Sequence, residues 1–410
     1  ITGGSPDDEF TRVVRADPDR RGLLYAGTER GVWYSLDDGR RWQRLQLNLP
    51  VSPVTDLAVK DGNLVAATQG RGYWIRDDLN ILHQHVDALA EKPAHLYEPA
   101  PAIRLTAGER DDDPGTAGTN PPTGVVFHYR LDATPDEDTE LSLAVFDARV
   151  DEPIWTWTRK ADAASEDNEE PGPDDAPETR VLTAQPGLNR FAWDLRYPGM
   201  RRFDKLVLWA DMKEGPRAVP GDYRARLTVG EYVQDVEFRV VADPRSTATA
   251  SDYRAQFDFI IEARDLLSRT HGEITRIRAL RGELDALEAR MESMPDAGGA
   301  IAELMEDIGL LRETIDPIEE SLYQTRNESR QDPLNYPIRL NNKLVSLMRT
   351  VDVGDSRPTD SALAVRDELA GAIRAELELL DSVWQENLPA LNSRVRAIGI
   401  DMIAVPDADE

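Results

Sequence analysis

The fold is indicated by LLYAGTERGVWYSLDDGRRW, residues 23–42, which returns in a shorter form as LVAATQGRGYWIRDD at residues 64–78. Gly31 aligns with Gly72, so the two copies are offset by 41 positions there. Short strands that repeat every 40–45 residues or so are typical of β-propeller blades. Two blades cannot close a ring. The pattern therefore predicts the last two blades of a propeller whose other blades lie upstream or on a separate N-terminal chain.

The first copy contains a turn that matches the pattern S-x-D-x-G-x-x-W. Ser35 and Asp37 supply oxygens that can bind the backbone of the turn. Gly39 allows a backbone conformation that other residues resist, and Trp42 supplies a ring that can pack beneath the turn. We interpret this Asp box as a structural corner between two strands, with no catalytic role. The second copy departs from the pattern, which predicts a degenerate turn there.

The composition describes an acidic globular protein. Of the 410 residues 30% are charged, and the formal net charge is −28. A field of this sign repels polyphosphates, which argues against nucleic acid and anionic membranes as partners. The chain has no cysteine, which excludes disulfides and cysteine-based metal sites. It also has no apolar run long enough for a membrane span.

The chain divides into four regions by its β-formers, turn residues and helical periodicity. Eight short strands, four in each repeat, are expected in residues 1–85, and a linker is expected over 86–123. Strands separated by turns over 124–245 are typical of an immunoglobulin- or fibronectin-like β-sandwich. Over 250–400 apolar residues recur at helical spacing, which predicts a bundle of four amphipathic helices. The predicted fold class is multidomain, β then α: terminal propeller blades, a sandwich and a C-terminal helical bundle.

Local signals indicate where three of these helices begin. Ser251-Asp252 is expected to cap the first helix. Pro337 is expected at the first helical position of the third. The fourth is expected to begin after Pro358 and to run through Leu391 as one helix.

The order of the motifs resembles one family: large bacterial proteins with BNR/Asp-box repeats and a sortilin-like propeller, often labelled glycosyl hydrolases. Besides the two repeat copies, the resemblance rests on TNPPTG at 119–124, GLNRFAWDLRYPG at 187–199 and VPGDYRARLTV at 219–229. It implies a secreted or periplasmic location, with a signal peptide and further blades preceding residue 1. One departure is Gln69, where the family's A-T-H-G-R-G run has a histidine.

Three charged residues of the repeats are weak candidates for ligand binding. Arg30 and Arg71 occupy equivalent positions, from which they could direct anionic ligands toward the axis of a propeller. Asp56 is a further candidate in the second copy. The alternative for the arginines is structural, because each could tie adjacent blades through ion pairs or carbonyl contacts.

Two histidines form a weak candidate for a metal site. His83 and His85 form an H-x-H pair on the predicted strand Ile81–His85, where residues two apart share one face. A chance pair is the alternative, because no third ligand is evident nearby. The acidic stretch ADAASEDNEEPGPDDAPE, residues 161–178, is interpreted as a solvated insertion. Calcium is the alternative there, although the stretch lacks D-x-D-x-D-G spacing, and no other cofactor is expected.

No catalytic constellation is evident, since the chain has no P-loop, dinucleotide loop, H-E-x-x-H or G-x-S-x-G. We therefore expect a chain that acts in binding or assembly, with a carbohydrate or protein ligand and with the upstream propeller as a partner. The alternative is that the chain forms part of an extracellular glycoside hydrolase, whose catalytic carboxylates lie in the missing upstream blades. Whether the whole protein is an enzyme stays open.

Overall fold

The computed structural model of the chain describes residues 9–86, 92–105, 118, 120–159, 181–292 and 299–406. The chain is β-rich in its first part and α-helical in its last. Two compact units are defined by contacts: Ile1–Asp194 with Gly221–Val241, and Leu195–Pro220 with Ala242–Glu410. The loop Leu195–Pro220 thus groups with the helices, which the sequence did not indicate. Among the described residues, no helix combines the length and apolar character needed to cross a membrane.

Two antiparallel sheets form the N-terminal part of the first unit, with strand orders β1-β2-β3-β4 and β5-β6-β7. Their strands are β1 Thr11–Ala16, β2 Leu24–Thr28, β3 Val32–Ser35, β4 Gln43–Arg44, β5 Val54–Lys60, β6 Asn63–Thr68 and β7 Tyr73–Arg76. These strands agree with the predicted ones to within a few residues. Asp61 and Gly62 both have positive φ in the two-residue turn between β5 and β6, as a type I′ hairpin requires.

The eighth predicted strand, Ile81–His85, is wrong, because this segment forms helix α1, Asn80–Gln84. The Asp78 carboxylate accepts a hydrogen bond from the Asn80 amide at 3.1 Å, a local bond that competes with extended structure. Leu79 is buried at the start of the helix. The second repeat therefore has three strands and a helix where the first has four strands.

The first and second sheets pack face to face through apolar side chains. Tyr25 on β2 shares a buried core with Val54 and Leu57 on β5. Gly27 lies at the closest approach, because a Cβ there would come 2.8 Å from Cγ1 of both Val13 and Val54. The missing side chain at Gly27 therefore allows Val54 of the second sheet to approach the first sheet this closely.

Two further antiparallel sheets follow in the first unit, with orders β13-β10-β8 and β12-β11-β14-β15-β9. Their strands are β8 Ala94–Leu96, β9 Ala102–Arg104, β10 Val125–Leu131, β11 Leu141–Asp147, β12 Trp155–Thr158, β13 Gly187–Trp193, β14 Gly221–Val229 and β15 Tyr232–Ala242. Aromatic rings join the two sheets. Trp193 contacts Tyr223 at 5.9 Å between ring centroids, and Phe127 contacts Phe238 at 5.4 Å.

The predicted linker, 86–123, contributes two of these strands. β8 pairs with β10, and β9 lies beside β15 at the edge of the five-stranded sheet. Each is three residues long, which is too short to produce a periodic signal in the sequence. This range therefore supplies edge strands as well as connecting the repeats to the sheets that follow.

The second unit contains the helices, as the sequence predicted for residues 250–400. They are α2 Ala250–Glu292, α3 Ala300–Leu322, α4 Leu340–Val351, α5 Asp360–Ser382 and α6 Leu388–Ala397. One apolar core is shared by them, including Ile274, Ile308 and Leu344, each fully buried. Phe203 from the loop before β14 joins the same core.

Three predicted helix features are corrected. The first helix is capped by Thr249: its hydroxyl accepts from the Asp252 amide at 3.3 Å, and its amide donates to the Asp252 carboxylate at 2.9 Å. With this reciprocal box the cap lies two residues before Ser251, the first residue of the predicted cap Ser251-Asp252, and α2 begins at Ala250. α4 begins at Leu340 and not at Pro337. The fourth predicted helix is interrupted by a π-helical turn, Val383–Asn387, just before Pro389, which has no amide hydrogen to donate.

Candidate functional site

The Asp box forms a closed set of hydrogen bonds in the turn after β3. Ser35 Oγ donates to Asp37 Oδ1 at 2.9 Å and accepts from the Gly39 amide at 2.9 Å. Asp37 Oδ1 also accepts from the Arg41 amide at 2.8 Å, and this bond is the main cause that lowers the pKa of Asp37. Trp42 is half-buried. Because the Asp37 carboxylate and the Ser35 hydroxyl bind the turn itself, the box holds the corner of a hairpin.

Arg30 and Arg71 lie on corresponding turns of the two repeats, and both are exposed. In the first turn the Thr28 amide donates to the carbonyl of Gly31 at 2.9 Å. In the second turn the Thr68 amide donates to the carbonyl of the equivalent glycine at 3.1 Å. The repeat is therefore reproduced in backbone geometry at the two candidate arginines. Their role in binding stays a prediction.

Asp56 ties the second sheet to the first. Its Oδ1 lies 2.5 Å from a terminal nitrogen of Arg15 on β1. Nε of Arg15 also donates to the Leu57 carbonyl at 2.9 Å. An ion pair and a carbonyl contact, the structural alternative for Arg30 and Arg71, thus join the two sheets through a different arginine. Asp56 serves that contact in this structure.

A buried carboxylate that the sequence analysis missed lies at the end of β1. Asp17 accepts a hydrogen bond from the Tyr25 hydroxyl at 2.8 Å, and its other oxygen accepts from the amides of Asp19 and Arg20, each at 2.9 Å. Nε2 of His83 lies 2.9 Å from Asp17 Oδ2. Burial opposes the ionised form of Asp17, but these hydrogen bonds outweigh it and lower the pKa of the carboxyl group. Burial and the Asp17 carboxylate raise the pKa of Tyr25.

Oxygens of Asp17 and Asp19 and a ring nitrogen of His83 all lie within 4.8 Å of one another, a spacing that can hold a metal ion. The environment fits a cation poorly, because each Asp17 oxygen already has two hydrogen-bond partners. A metal bound to these oxygens would compete with the Tyr25 hydroxyl and with the amides of Asp19 and Arg20. The cluster therefore fits a buried polar tie between the end of β1 and helix α1.

The histidine pair His83 and His85 depended on a strand that is absent. His83 lies in α1, whereas His85 follows the helix in an extended conformation, so no strand places the two rings on one face. The structure brings His83 to Asp17, whereas the carbonyl of His85 accepts a hydrogen bond from the Arg20 guanidinium at 2.7 Å. Arg20 also donates to the Leu82 carbonyl, so it binds the C-terminal end of α1.

A buried histidine, His128 on β10, faces the turn of the second repeat. Nδ1 of His128 lies 3.4 Å from an oxygen of Asp78, the residue that aligns with Asp37. Burial lowers the pKa of His128, and the Asp78 carboxylate opposes this shift. In the degenerate copy, the aspartate therefore contacts the next sheet instead of closing an Asp box.

The acidic stretch 161–178, for which calcium was an alternative, lies outside the described residues. Part of the TNPPTG segment does too. In the comparisons with known proteins, no family model, curated protein or solved structure matched the chain. Its function is therefore inferred from its residues and their geometry.

Proposed function

We propose that this chain is the C-terminal region of a secreted or periplasmic propeller protein and that it acts in binding or assembly. The first two sheets are its last two blades. The two following sheets form an immunoglobulin- or fibronectin-like sandwich, and the helices form a bundle. The ligand is a carbohydrate or a protein, and the remaining blades are supplied upstream or by a separate N-terminal chain.

The face-to-face stacking of two consecutive repeat sheets is the observation that carries this proposal. The two hairpins even share an irregularity. The register shifts between Thr11 and Val13 in the first hairpin and between Val54 and Asp56 in the second. A repeated unit that cannot bury both of its faces alone is stabilised by stacking on its neighbours. This supports blades of a larger stack rather than a self-contained domain.

The contacts of the candidate residues support binding or assembly over catalysis by this chain. The carboxylates of Asp37, Asp56 and Asp17 each have structural partners within the repeats. Glycoside hydrolysis needs two carboxyl groups directed at one substrate, about 5–9.5 Å apart. The net charge of −28 also disfavours anionic polymers as ligands.

The test is hydrolysis and binding measured on the same purified chain. Fluorogenic glycosides and a glycan array are presented to the full chain and to the variant Asp56→Asn. We expect no turnover above the blank with either protein, and binding, where it occurs, without release of product. Turnover by the chain that survives repurification would overturn the proposal in favour of a hydrolase. If Asp56→Asn abolished that turnover, the variant would place catalysis in the repeats themselves.

A further inference from the structure

The second sheet exposes an apolar face. Tyr73 and Ile75 on β7 are 81% and 60% exposed. Ile75 pairs across the sheet with Val65, and Tyr73 pairs with Ala67. Ala58 pairs with Val65 on the other side and is also exposed. Because paired residues of neighbouring strands lie on the same side of a sheet, these five residues form one surface, here called the outer face.

The corresponding face of the first sheet is buried. The repeat aligns four positions of the two sheets: Tyr25 with Val65, Gly27 with Ala67, Val32 with Tyr73, and Tyr34 with Ile75. Tyr25 and Val32 belong to the core between the first two sheets, and Tyr34 packs against it. The positions of Val32 and Tyr34, which are covered in the first sheet, are therefore exposed in the second, as Tyr73 and Ile75.

We propose that the outer face is the docking surface of a further β-sheet, so that the established interface between the first two sheets is repeated one step along the stack. The inference rests on the proposed role in assembly and specifies its partner. In the established interface, the covering strand presents the branched aliphatic side chains Val54 and Leu57, both fully buried. The partner is thus a sheet whose nearest strand presents branched aliphatic side chains to the outer face.

The charges and shapes of the outer face define this partner further. Asp56 and Arg15 form an ion pair across the established interface. The position of Arg15 is taken by Ala58 in the second sheet, so that ion pair has no counterpart at the outer face. We therefore expect docking to be driven by apolar burial and to depend little on salt. Tyr73, where the first sheet has a valine, requires a small side chain opposite it.

The experiment places a photo-crosslinker, p-benzoylphenylalanine, at position 73 of the chain as it is made in its own cells. As a matched control, a second variant of the chain carries the photo-crosslinker at position 233, in place of Val233, which is 54% exposed on β15. Crosslinked peptides are sequenced by mass spectrometry. We expect position 73 to crosslink a β-strand that carries branched aliphatic residues, and position 233 not to do so.

A crosslink from position 73 to a second copy of this chain, to a helix or to nothing would overturn the inference. Ile75→Arg provides a further check: it should reduce the crosslink at least tenfold without changing the thermal unfolding midpoint, because residue 75 is exposed. An unchanged crosslink in that variant also contradicts the inference. The glycoside assay separates the two failures. Turnover with the expected crosslink would remove the proposed binding role and keep the docked sheet, whereas a wrong crosslink without turnover would remove the docked sheet and the assignment as blades but keep the proposed binding role.

Discussion

Acid should destabilise the helical unit through one buried histidine, His271 on α2. The ring is fully buried, with Nδ1 at 2.6 Å from the Arg201 carbonyl and Nε2 at 3.3 Å from the side-chain amide nitrogen of Asn341. Nδ1 therefore donates its hydrogen to the carbonyl, and Nε2 accepts from the amide. A second proton would place an N–H of the ring against the N–H of Asn341. The geometry thus favours the neutral ring.

The size of the effect follows from the pKa of His271. Burial is the main cause that lowers it, from an ordinary 6.5 to about 4, and the bond to the Arg201 carbonyl opposes this shift. Between these values the unfolded chain binds a proton that the folded chain does not. The stabilisation that depends on the neutral ring is therefore fully present above pH 6.5. As the pH drops toward 4, the free energy of unfolding falls by about 3 kcal/mol in total.

The assay is urea denaturation of the full chain followed by circular dichroism at pH 7 and pH 4.5. His271→Gln removes the titration while keeping a polar side chain, and His85→Gln, outside the helical unit, is the control. We expect the helical transition of the unmodified chain and of the control to lose about 2–3 kcal/mol more than that of His271→Gln. Equal losses in all three proteins would refute the reasoning.

Three further substitutions test the packing and the hydrogen bonds. Gly27→Ala should lower the free energy of unfolding of the stacked sheets by about 1–3 kcal/mol, because the new Cβ meets Val54. The control Gly371→Ala, on the exposed face of α5, should raise the stability of the helix by up to about 1 kcal/mol. Equal midpoints of the two variants in thermal unfolding would contradict the close approach at Gly27. Asp17→Ala should cost about 1–3 kcal/mol by leaving the Tyr25 hydroxyl and two amides without their acceptor, as chemical denaturation would show. Thr249→Ala should lower the free energy of unfolding by about 1 kcal/mol, and Thr249→Ser, which keeps the hydroxyl, should lower it much less. The same loss in both variants would exclude Thr249 as the cap of α2.

The sequence predicted the strands and helices whose signal is local. Val125–Leu131 and Leu141–Asp147 are runs of β-formers between turn residues, and α2 has a long helical stripe, so their bounds were predicted closely. The sequence predicts a strand at Ile81–His85, where the structure has the helix Asn80–Gln84, because a short apolar segment fits either period. The interruption at Val383–Asn387 lies inside an unbroken apolar stripe and has no local signal before Pro389.

The candidate site was predicted less well, for a physical reason. The Asp box is a contiguous pattern, and its hydrogen bonds follow from local geometry. Asp17 and His83 are 66 residues apart, and only the stacking of the repeats brings them together. Asp56 likewise finds Arg15 across two sheets. Contacts of this kind depend on tertiary packing, which residue spacing does not encode.

The most direct test of the central claim, that these sheets are part of a larger stack, is the exposure of Tyr73 in solution. Hydroxyl-radical footprinting compares the isolated chain with the assembly purified from its own cells, with the buried Tyr25 as the internal reference. We expect Tyr73 to react readily in the isolated chain and to be strongly protected in the assembly, while Tyr25 stays protected in both. Equal reactivity of Tyr73 in the two samples would contradict the account.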